Sequence, residues 1–417
     1  MRIVIFSEYF YPDPAGTGRL LAELARALSR DPRGFAVTAL ASVRQFRGGT
    51  LPLTRQEDWE GGRVRRFAAP NANRAKALQR LASDLLFTTK SALAAVGERA
   101  DVNVVVTNPS VLPLACLAIK AMRGTPYVYI IHDLFPDVAI TVGVVREGGT
   151  VERLARAIQR SFLHNAAKVV VLGRCMADTI ADRYGLPRDH IAVIPNFPTL
   201  ARAATQEDRQ ALRRREGWEG FVCLYSGNLG QFQDFDTLLE AARLLRDGGD
   251  PVTLAFAGSG ARRPQVEERA RQENLTNVRF LPFVSDEEFP ALLAACDAAL
   301  VTLEQGAEGL GVPSKFYNLL AAGRPIVAVM GPNTEVSYVI EESGCGEVVP
   351  QKQPERLAAT LRRLADSPAE LAQMGEAGKR LAEERYSLSS AADALAGVLN
   401  EASRAQTPFD RRGAVGP

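Results

Sequence analysis

Short apolar runs alternate along this chain with longer stretches whose apolar residues recur every three or four positions. Ile3-Val4-Ile5-Phe6 is too short for a helix, and the loop YFYPDPAGTGR leads from it to the periodic LLAELARAL, so the chain opens as strand, loop, helix. The runs from Phe35 to Leu40, Val102 to Thr107, Tyr127 to Ile131, Lys168 to Leu172 and Ile191 to Ile194 read as further strands with helical stretches between them. Such alternation predicts an α/β fold with a parallel sheet. After a polar stretch, 199–219, that suits one short surface helix, the pattern starts again. Strands are expected at Phe221–Tyr225, Leu254–Ala257, Val278–Val284, Ala298–Leu303 and Ile326–Val329, with helices between them and on to about Ala402. A chain of 417 residues can bury two sizeable cores, and two α/β halves are expected.

Candidate chemistry lies where these strands end. The stretch from Glu304 to Pro325, EQGAEGLGVPSKFYNLLAAGRP, leaves a buried strand, passes a Gly-rich turn and enters a helix that Pro313 opens, since its fixed φ needs no N–H there. N–H groups at such a helix start, with the Ser314 hydroxyl and the Lys315 ammonium beside them, make an anion site, and Gly309 and Gly311 let a ligand approach the backbone closely. Glu308 stands in the loop as an acceptor for hydroxyls. An anion site beside such a carboxylate suits a nucleotide-sugar, although the spacing alone fits an ordinary strand-to-helix turn equally well. His132 follows directly on a buried strand, with Asp133 and Asp137 after it, where open α/β sheets bind ligands. His164 and His190 have no such setting and read as structural. The first loop lacks GxGxxG, which argues against NAD.

Glu308-Gly309 followed by Gly311 and Pro313, ahead of a helix closing in Ala322-Gly323-Arg324-Pro325, resembles the donor-site signature of the family-4 retaining glycosyltransferases. Pro313-Ser314-Lys315 resembles the branch found among bacterial surface-polysaccharide enzymes of the colanic-acid and O-antigen type. The likeness runs over nearly the whole chain and is strongest at 225–330. It implies the GT-B arrangement, two Rossmann-like domains facing across a cleft: an acceptor domain at 1–198, a donor domain at 199–384, a helix at 385–402 returning to the first domain, and a disordered tail at 403–417. It also implies a site. His132 would contact the donor sugar, Glu308 its hydroxyls, Ser314 and Lys315 the diphosphate, Asn318 the ribose, and the backbone of Phe283 and Val284 the base. Gly16 or Gly18 would face the diphosphate from the first domain, and Gly227, Asn228 and Gly258 would form ligand-facing turns in the second. The chain departs from the family at Asn228 and Gln231, where many members place the Arg and Lys that hold the leaving diphosphate. Lys315, with Arg324 or Arg262, is the candidate replacement. Asn318 replaces a glutamate, and an amide accepts from a ribose hydroxyl more weakly than a carboxylate does.

Composition narrows the setting. Hydrophobic content of 46% and charged content of 24% are those of a soluble globular protein. Five scattered cysteines and three histidines suggest neither a zinc site nor a disulfide framework, and buried reduced thiols fit the cytosol. The opening apolar run is too short for a signal peptide, and no stretch reaches transmembrane length. Net charge is only +2, yet residues 1–200 carry 26 Lys+Arg against 17 Asp+Glu while 201–417 carry 24 against 31. A basic first half suits an anionic surface or substrate, or attraction to the acidic second half. Within it, RAKALQRLASDLLFTTKSAL places Leu78, Leu81 and Leu85 on one helical face with Arg74, Lys76 and Arg80 largely off it. This basic amphipathic helix, 74–93, either packs its apolar face on the core or docks peripherally on anionic lipid. No nucleic-acid partner is expected.

The expectation is a retaining glycosyltransferase without cofactor or metal, moving a hexose from a UDP- or GDP-sugar to a lipid-linked surface-glycan acceptor at the inner face of the plasma membrane. Cations and helix N-termini would neutralise the leaving nucleoside diphosphate. Retention without an evident nucleophile implies front-face attack, a leaving-phosphate oxygen taking the acceptor proton. Two rivals remain: a nucleotide-sugar epimerase, for which the chain offers few histidines and no clear carboxylate cluster, and a non-catalytic nucleotide-sugar or partner-binding module, favoured by Asn228, Gln231 and Asn318.

Overall fold

The computed structural model describes residues 1–12, 16–45, 56–68, 77–282 and 284–404. The chain divides into two units, Met1–Asn196 together with the chain from Leu388, and Phe197–Ser387. The first boundary falls just before the expected one at residue 198.

The first unit runs β1 (Arg2–Phe6), α1 (Gly16–Ser29), β2 (Ala36–Ser42), β3 (Glu57–Trp59), β4 (Gly62–Phe67), α2 (Ala77–Val96), β5 (Val102–Val106), α3 (Pro113–Arg123), β6 (Tyr127–Ile131), α4 (Asp137–Thr141), α5 (Thr150–Asn165), β7 (Lys168–Val171), α6 (Arg174–Tyr184) and β8 (Ile191–Val193). Its eight strands lie in the order β3-β4-β2-β1-β5-β6-β7-β8, and β3 alone runs antiparallel to its neighbour. Helices on both faces of a parallel sheet make its central strands largely apolar, as in the fully buried VNVVV of β5, with Asn103 the exception, and YVYII of β6. The two tyrosines of β6 keep their hydroxyls satisfied within the core, Tyr127 on the Phe162 carbonyl at 2.6 Å and Tyr129 on Gln159 Oε1 at 3.4 Å.

The hairpin β3–β4 was not expected from the pattern. GRVRRF alternates as a strand should, but the position after buried Val64 on the same side is Arg66, itself buried and bonded to Glu57 and to the Tyr11 carbonyl. Of the two expectations for the basic helix, packing of the Leu81–Leu85 face on the core is not met: α2 turns Leu81 and Leu85 outward and Ser83, Phe87, Thr88, Ser91 and Ala95 inward. Arg74 and Lys76, and the side chain of Leu78, lie outside the described residues.

The second unit runs α7 (Gln206–Glu216), β9 (Phe221–Ser226), α8 (Phe235–Asp247), β10 (Val252–Ala257), α9 (Arg263–Gln272), β11 (Val278–Leu281), α10 (Phe289–Ala295), β12 (Ala298–Thr302), α11 (Lys315–Ala321), β13 (Ile326–Val329), α12 (Glu335–Ser343), β14 (Gly346–Val349), α13 (Pro354–Ala365) and α14 (Pro368–Arg385). Its six strands are all parallel, in the order β11-β10-β9-β12-β13-β14. The last helix, α15 (Leu388–Arg404), belongs to the first unit. It packs on α1 and is pinned by Arg33–Asp393 at 2.6 Å and Lys168–Glu401 at 3.0 Å. Of the expected tail, 405–417 lies outside the described residues.

Candidate functional site

In the second unit the site grows from the turns after β9, β10 and β12. Gly227 (φ +130°) and Gly258 (φ +138°) follow β9 and β10 directly, in backbone that favours glycine. The loops lie back to back, with Gly227 N–H donating to the Ala257 carbonyl at 2.9 Å and Leu229 N–H to the Ser259 carbonyl at 2.8 Å. A Cβ on Gly258 would stand 1.9 Å from the Gly227 oxygen, so no side chain fits between them. The result is a backbone platform, with the Arg263 guanidinium donating to the Gly258 carbonyl.

Lys315 lies against that platform. Its Nζ is 3.4 Å from the centroid of the Tyr225 ring, a cation–π contact, and would be 3.8 Å from a Cβ at Gly227. The ring is buried and fixed in place: its hydroxyl donates to the Asn228 carbonyl at 2.6 Å, and its edge packs on Phe235 at 5.2 Å. Burial pushes the Lys315 ammonium well below the ordinary lysine range, and among the described residues no carboxylate pairs with it. Without a counter-ion such burial favours the neutral amine, and an anion set beside it would restore the charge.

Glu308 is oriented by two donors. The Gly306 N–H reaches Oε2 at 2.7 Å, and the Gln351 amide reaches Oε1 at 3.0 Å while also holding the Leu303 carbonyl at 3.2 Å. Gly331 gives the carboxylate room, since a Cβ there would stand 3.1 Å from Glu308 Oε1. Gly309, at φ +71°, turns the loop back. Gln351 and Gly331 were not anticipated. Gly331 was legible as a turn after a strand, whereas nothing in the sequence marks Gln351.

Other expectations need correction. α11 begins at Lys315 rather than Pro313, and Ser314 precedes it in helical backbone with its side chain exposed and capping nothing. A helix of seven residues adds little dipole, so of the expected anion-site features the ammonium is the one with substance. The Asn318 Oδ1, expected at the ribose, accepts the Thr199 N–H at 2.7 Å and fastens the segment after Asn196 instead. Neither candidate arginine points a cation at the platform. Arg324 donates to the Cys296 and Ala322 carbonyls, and Arg262 donates to the Gln233 carbonyl while lying over the Phe235 ring. Asn228 is exposed on its turn, Gly311 and Val284 are half-buried, and Phe283 lies outside the described residues. Asp234-Phe235-Asp236 has the form of a metal-binding pair but is structural: Asp234 caps α8 through the Thr237 N–H and pairs with Lys352, and Asp236 pairs with Arg269. Among the described residues no cluster of His, Cys, Asp and Glu is arranged to hold a metal ion.

In the first unit His132 directly follows β6. Its N–H donates to Thr107 Oγ1 at 3.3 Å, its Nε2 is buried without a partner, and burial lowers its pKa to about 4, so the imidazole is neutral at pH 7. Asp133 keeps accessible surface, but its dense surroundings push its carboxyl up to about 6. Asp137 is structural, bonded by Arg156, Arg183 and the Tyr184 hydroxyl. Gly16 is exposed at the start of α1, whereas Gly18 is buried where a Cβ would stand 3.1 Å from the Tyr9 backbone, so Gly18 packs the helix and Gly16 is the member of the pair left accessible. Sequence reasoning missed Glu8. It is buried after β1, its carboxyl raised by burial and then by Asp84, with Arg44 at 3.3 Å.

Residues 15–196 match the family model described as glycosyl transferase 4-like domain, and residues 206–381 that described as glycosyl transferases group 1. The chain belongs to the GT-B glycosyltransferases. It is similar to the probable glycosyltransferase WbjE of Pseudomonas aeruginosa, 29% identical over 391 residues that cover 93% of this chain and 94% of the relative. It is also 32% identical over 249 residues to the putative colanic acid biosynthesis glycosyl transferase WcaI of Escherichia coli, covering 58% and 60%. Among solved structures, sucrose-phosphate synthase from Thermosynechococcus elongatus superposes with a TM-score of 0.78 at 15% identity, covering 96% and 98% of the two chains. HepE from Anabaena, in complex with UDP-glucose, gives 0.72 at 17% identity, covering 96% and 99%. These structural likenesses bear on the fold.

Proposed function

We propose that this glycosyltransferase moves a hexose from a UDP- or GDP-sugar to a lipid-linked surface-glycan acceptor, with retention at the anomeric carbon and without a metal ion. The observation that carries the reading is the Lys315 ammonium, seated on Tyr225 beside the Gly227 turn with no carboxylate partner among the described residues. The names of WbjE and WcaI support a polysaccharide product, and the UDP-glucose bound to HepE supports a nucleotide-sugar donor.

In this reading Lys315 takes the diphosphate and stabilises the negative charge that grows as the anomeric carbon–oxygen bond breaks. Glu308, fixed by Gln351 and the Gly306 N–H, accepts from donor hydroxyls. In the first unit His132, neutral and with Nε2 uncommitted, is the candidate for a sugar hydroxyl. The acceptor oxygen bonds to the anomeric carbon on the face the diphosphate leaves, and a leaving-phosphate oxygen takes its proton.

The test is calorimetric binding of UDP, GDP, UDP-glucose and GDP-mannose to the native chain, Lys315→Ala and Glu308→Ala. Tight binding of one nucleotide-sugar, weakened in both variants, is expected. Binding of none would leave the donor-site reading without support.

A further inference from the structure

The loop after β14 reaches back along the carboxyl edge of the second sheet. β13 and β12 separate β14 from β9, yet Gln351 and Lys352, just past the end of β14, meet the turns after both β9 and β12. Gln351 holds the Glu308 carboxylate. The Lys352 ammonium lies between two other carboxylates, 3.0 Å from Asp234 Oδ1 and 2.9 Å from Glu304 Oε1.

These two acids stand at opposite sides of the candidate donor site. Asp234 starts α8 after the Gly227 loop, and Phe235 beside it packs on the Tyr225 ring that seats Lys315. Glu304 starts the loop that carries Glu308, and its N–H donates to the Phe232 carbonyl at 2.7 Å. The turns after β9 and β12 therefore touch, and Lys352 joins them a second time through charge.

The two ends of this joint are not equally firm. Asp234 is fully buried and also accepts from the Thr237 N–H and hydroxyl and from the Lys352 N–H at 3.3 Å. Glu304 is half-buried, and among the described residues Lys352 is the one cation paired with it. Lys352 itself sits at φ +59°, left-handed backbone that a residue with a side chain adopts where its surroundings hold it. A loop that only had to connect β14 to α13 would take glycine there at lower cost. Here the N–H and the ammonium grip the same aspartate, and the N–H also reaches Thr237 Oγ1 at 3.0 Å.

We infer that Lys352 is a positioning residue for the donor site: through Asp234 and Glu304 it fixes the spacing between the turn beside Lys315 and the loop that carries Glu308. The inference rests on the nucleotide-sugar reading and adds a determinant to it. A nucleoside diphosphate meets the Lys315 side alone, whereas a nucleotide-sugar spans both sides, so the spacing is felt by the sugar conjugate. Loss of the ammonium frees the Glu304 end while Thr237 still holds Asp234.

The experiment is calorimetric binding of UDP, UDP-glucose, GDP and GDP-mannose to the native chain, Lys352→Met, Lys352→Arg and Glu304→Gln, and to Glu308→Ala with and without Lys352→Met. Lys352→Met and Glu304→Gln should each weaken the nucleotide-sugar about tenfold and leave the matching nucleoside diphosphate within about twofold. Lys352→Arg should restore most of the loss. In the Glu308→Ala background, where the positioned carboxylate is gone, Lys352→Met should add nothing. Native affinity for both probes, equal weakening of both, or a tenfold loss that persists without Glu308 overturns the inference. Glu304→Gln leaves Asp234 paired and carries the test should Lys352→Met fail to fold.

Hydrogen exchange of the ligand-free variants separates this inference from the reading beneath it. Residues 304–312 should exchange faster in Lys352→Met and Glu304→Gln than in the native chain, and unchanged exchange there overturns the joint. A native chain that binds none of the four probes sinks the donor-site reading, and exchange then still decides whether Lys352 fixes the loop.

Discussion

The Lys315 ammonium stands 3.4 Å above the Tyr225 ring, whose hydroxyl is tied to the Asn228 carbonyl. The ring thus sets the height of the cation above the Gly227 turn. Lys315→Ala should weaken nucleoside-diphosphate binding by ten- to a hundredfold, the ~1.5–3 kcal/mol of a hydrogen bond to a charged group. Tyr225→Leu should cost less, about 0.5–2 kcal/mol, because the ammonium remains but loses its aromatic seat. Because burial lowers the Lys315 pKa, affinity should fall as pH rises through a value below that of an ordinary lysine. Calorimetry across pH reads all three.

Gln351 holds Glu308 in place but touches nothing the sequence associates with it. Gln351→Leu removes one donor from the carboxylate and should lower kcat/KM about fivefold, near 1 kcal/mol for one hydrogen bond. Glu308→Ala should lower it much further. Initial rates with unchanged melting curves separate a positioning effect from a folding one.

Gly258 has no room for a methyl group, because the Gly227 oxygen would stand 1.9 Å from it and its φ is +138°. Gly258→Ala should cost about 1–3 kcal/mol from strained backbone alone and lower Tm by several degrees. Gly16→Ala, exposed at the start of α1, should leave Tm near its native value. A thermal melt of the two variants decides the contrast.

His132 should titrate near pH 4 by proton NMR, because burial disfavours its cation. The unfolded chain takes this proton near 6.5, so the contribution of His132 to stability is complete above that value and is lost as pH falls from 6.5 towards 4. His132→Gln should flatten that limb in chemical denaturation at stepped pH. An unchanged acid limb would assign it to other groups.

Much of the fold was legible because buried parallel strands must be apolar on both faces. β6 and β13 stand where their apolar runs predicted. β3 and β4 were hidden because Arg66 takes an inward position that pattern reading reserves for an apolar side chain. At the site, Lys315 and Glu308 could be chosen from local spacing, since a loop and the residues it carries are neighbours in sequence. Gln351 could not, because it meets Glu308 across 43 residues and only the sheet brings β14's end beside the β12 loop. Asn318 misled for the same reason: its partner, Thr199, lies 119 residues away.

The helix α15 sets a constraint on how this chain is made. Its buried Leu395 and Leu399 complete the first unit, yet they leave the ribosome only after the whole second unit has been synthesised. The second unit is thereby an insertion within the first, and the nascent N-terminal sheet must wait with the surface that α15 will cover still open. A fragment ending at Asn196 would keep that surface exposed permanently, so it should bind chaperones and self-associate where the full chain does not.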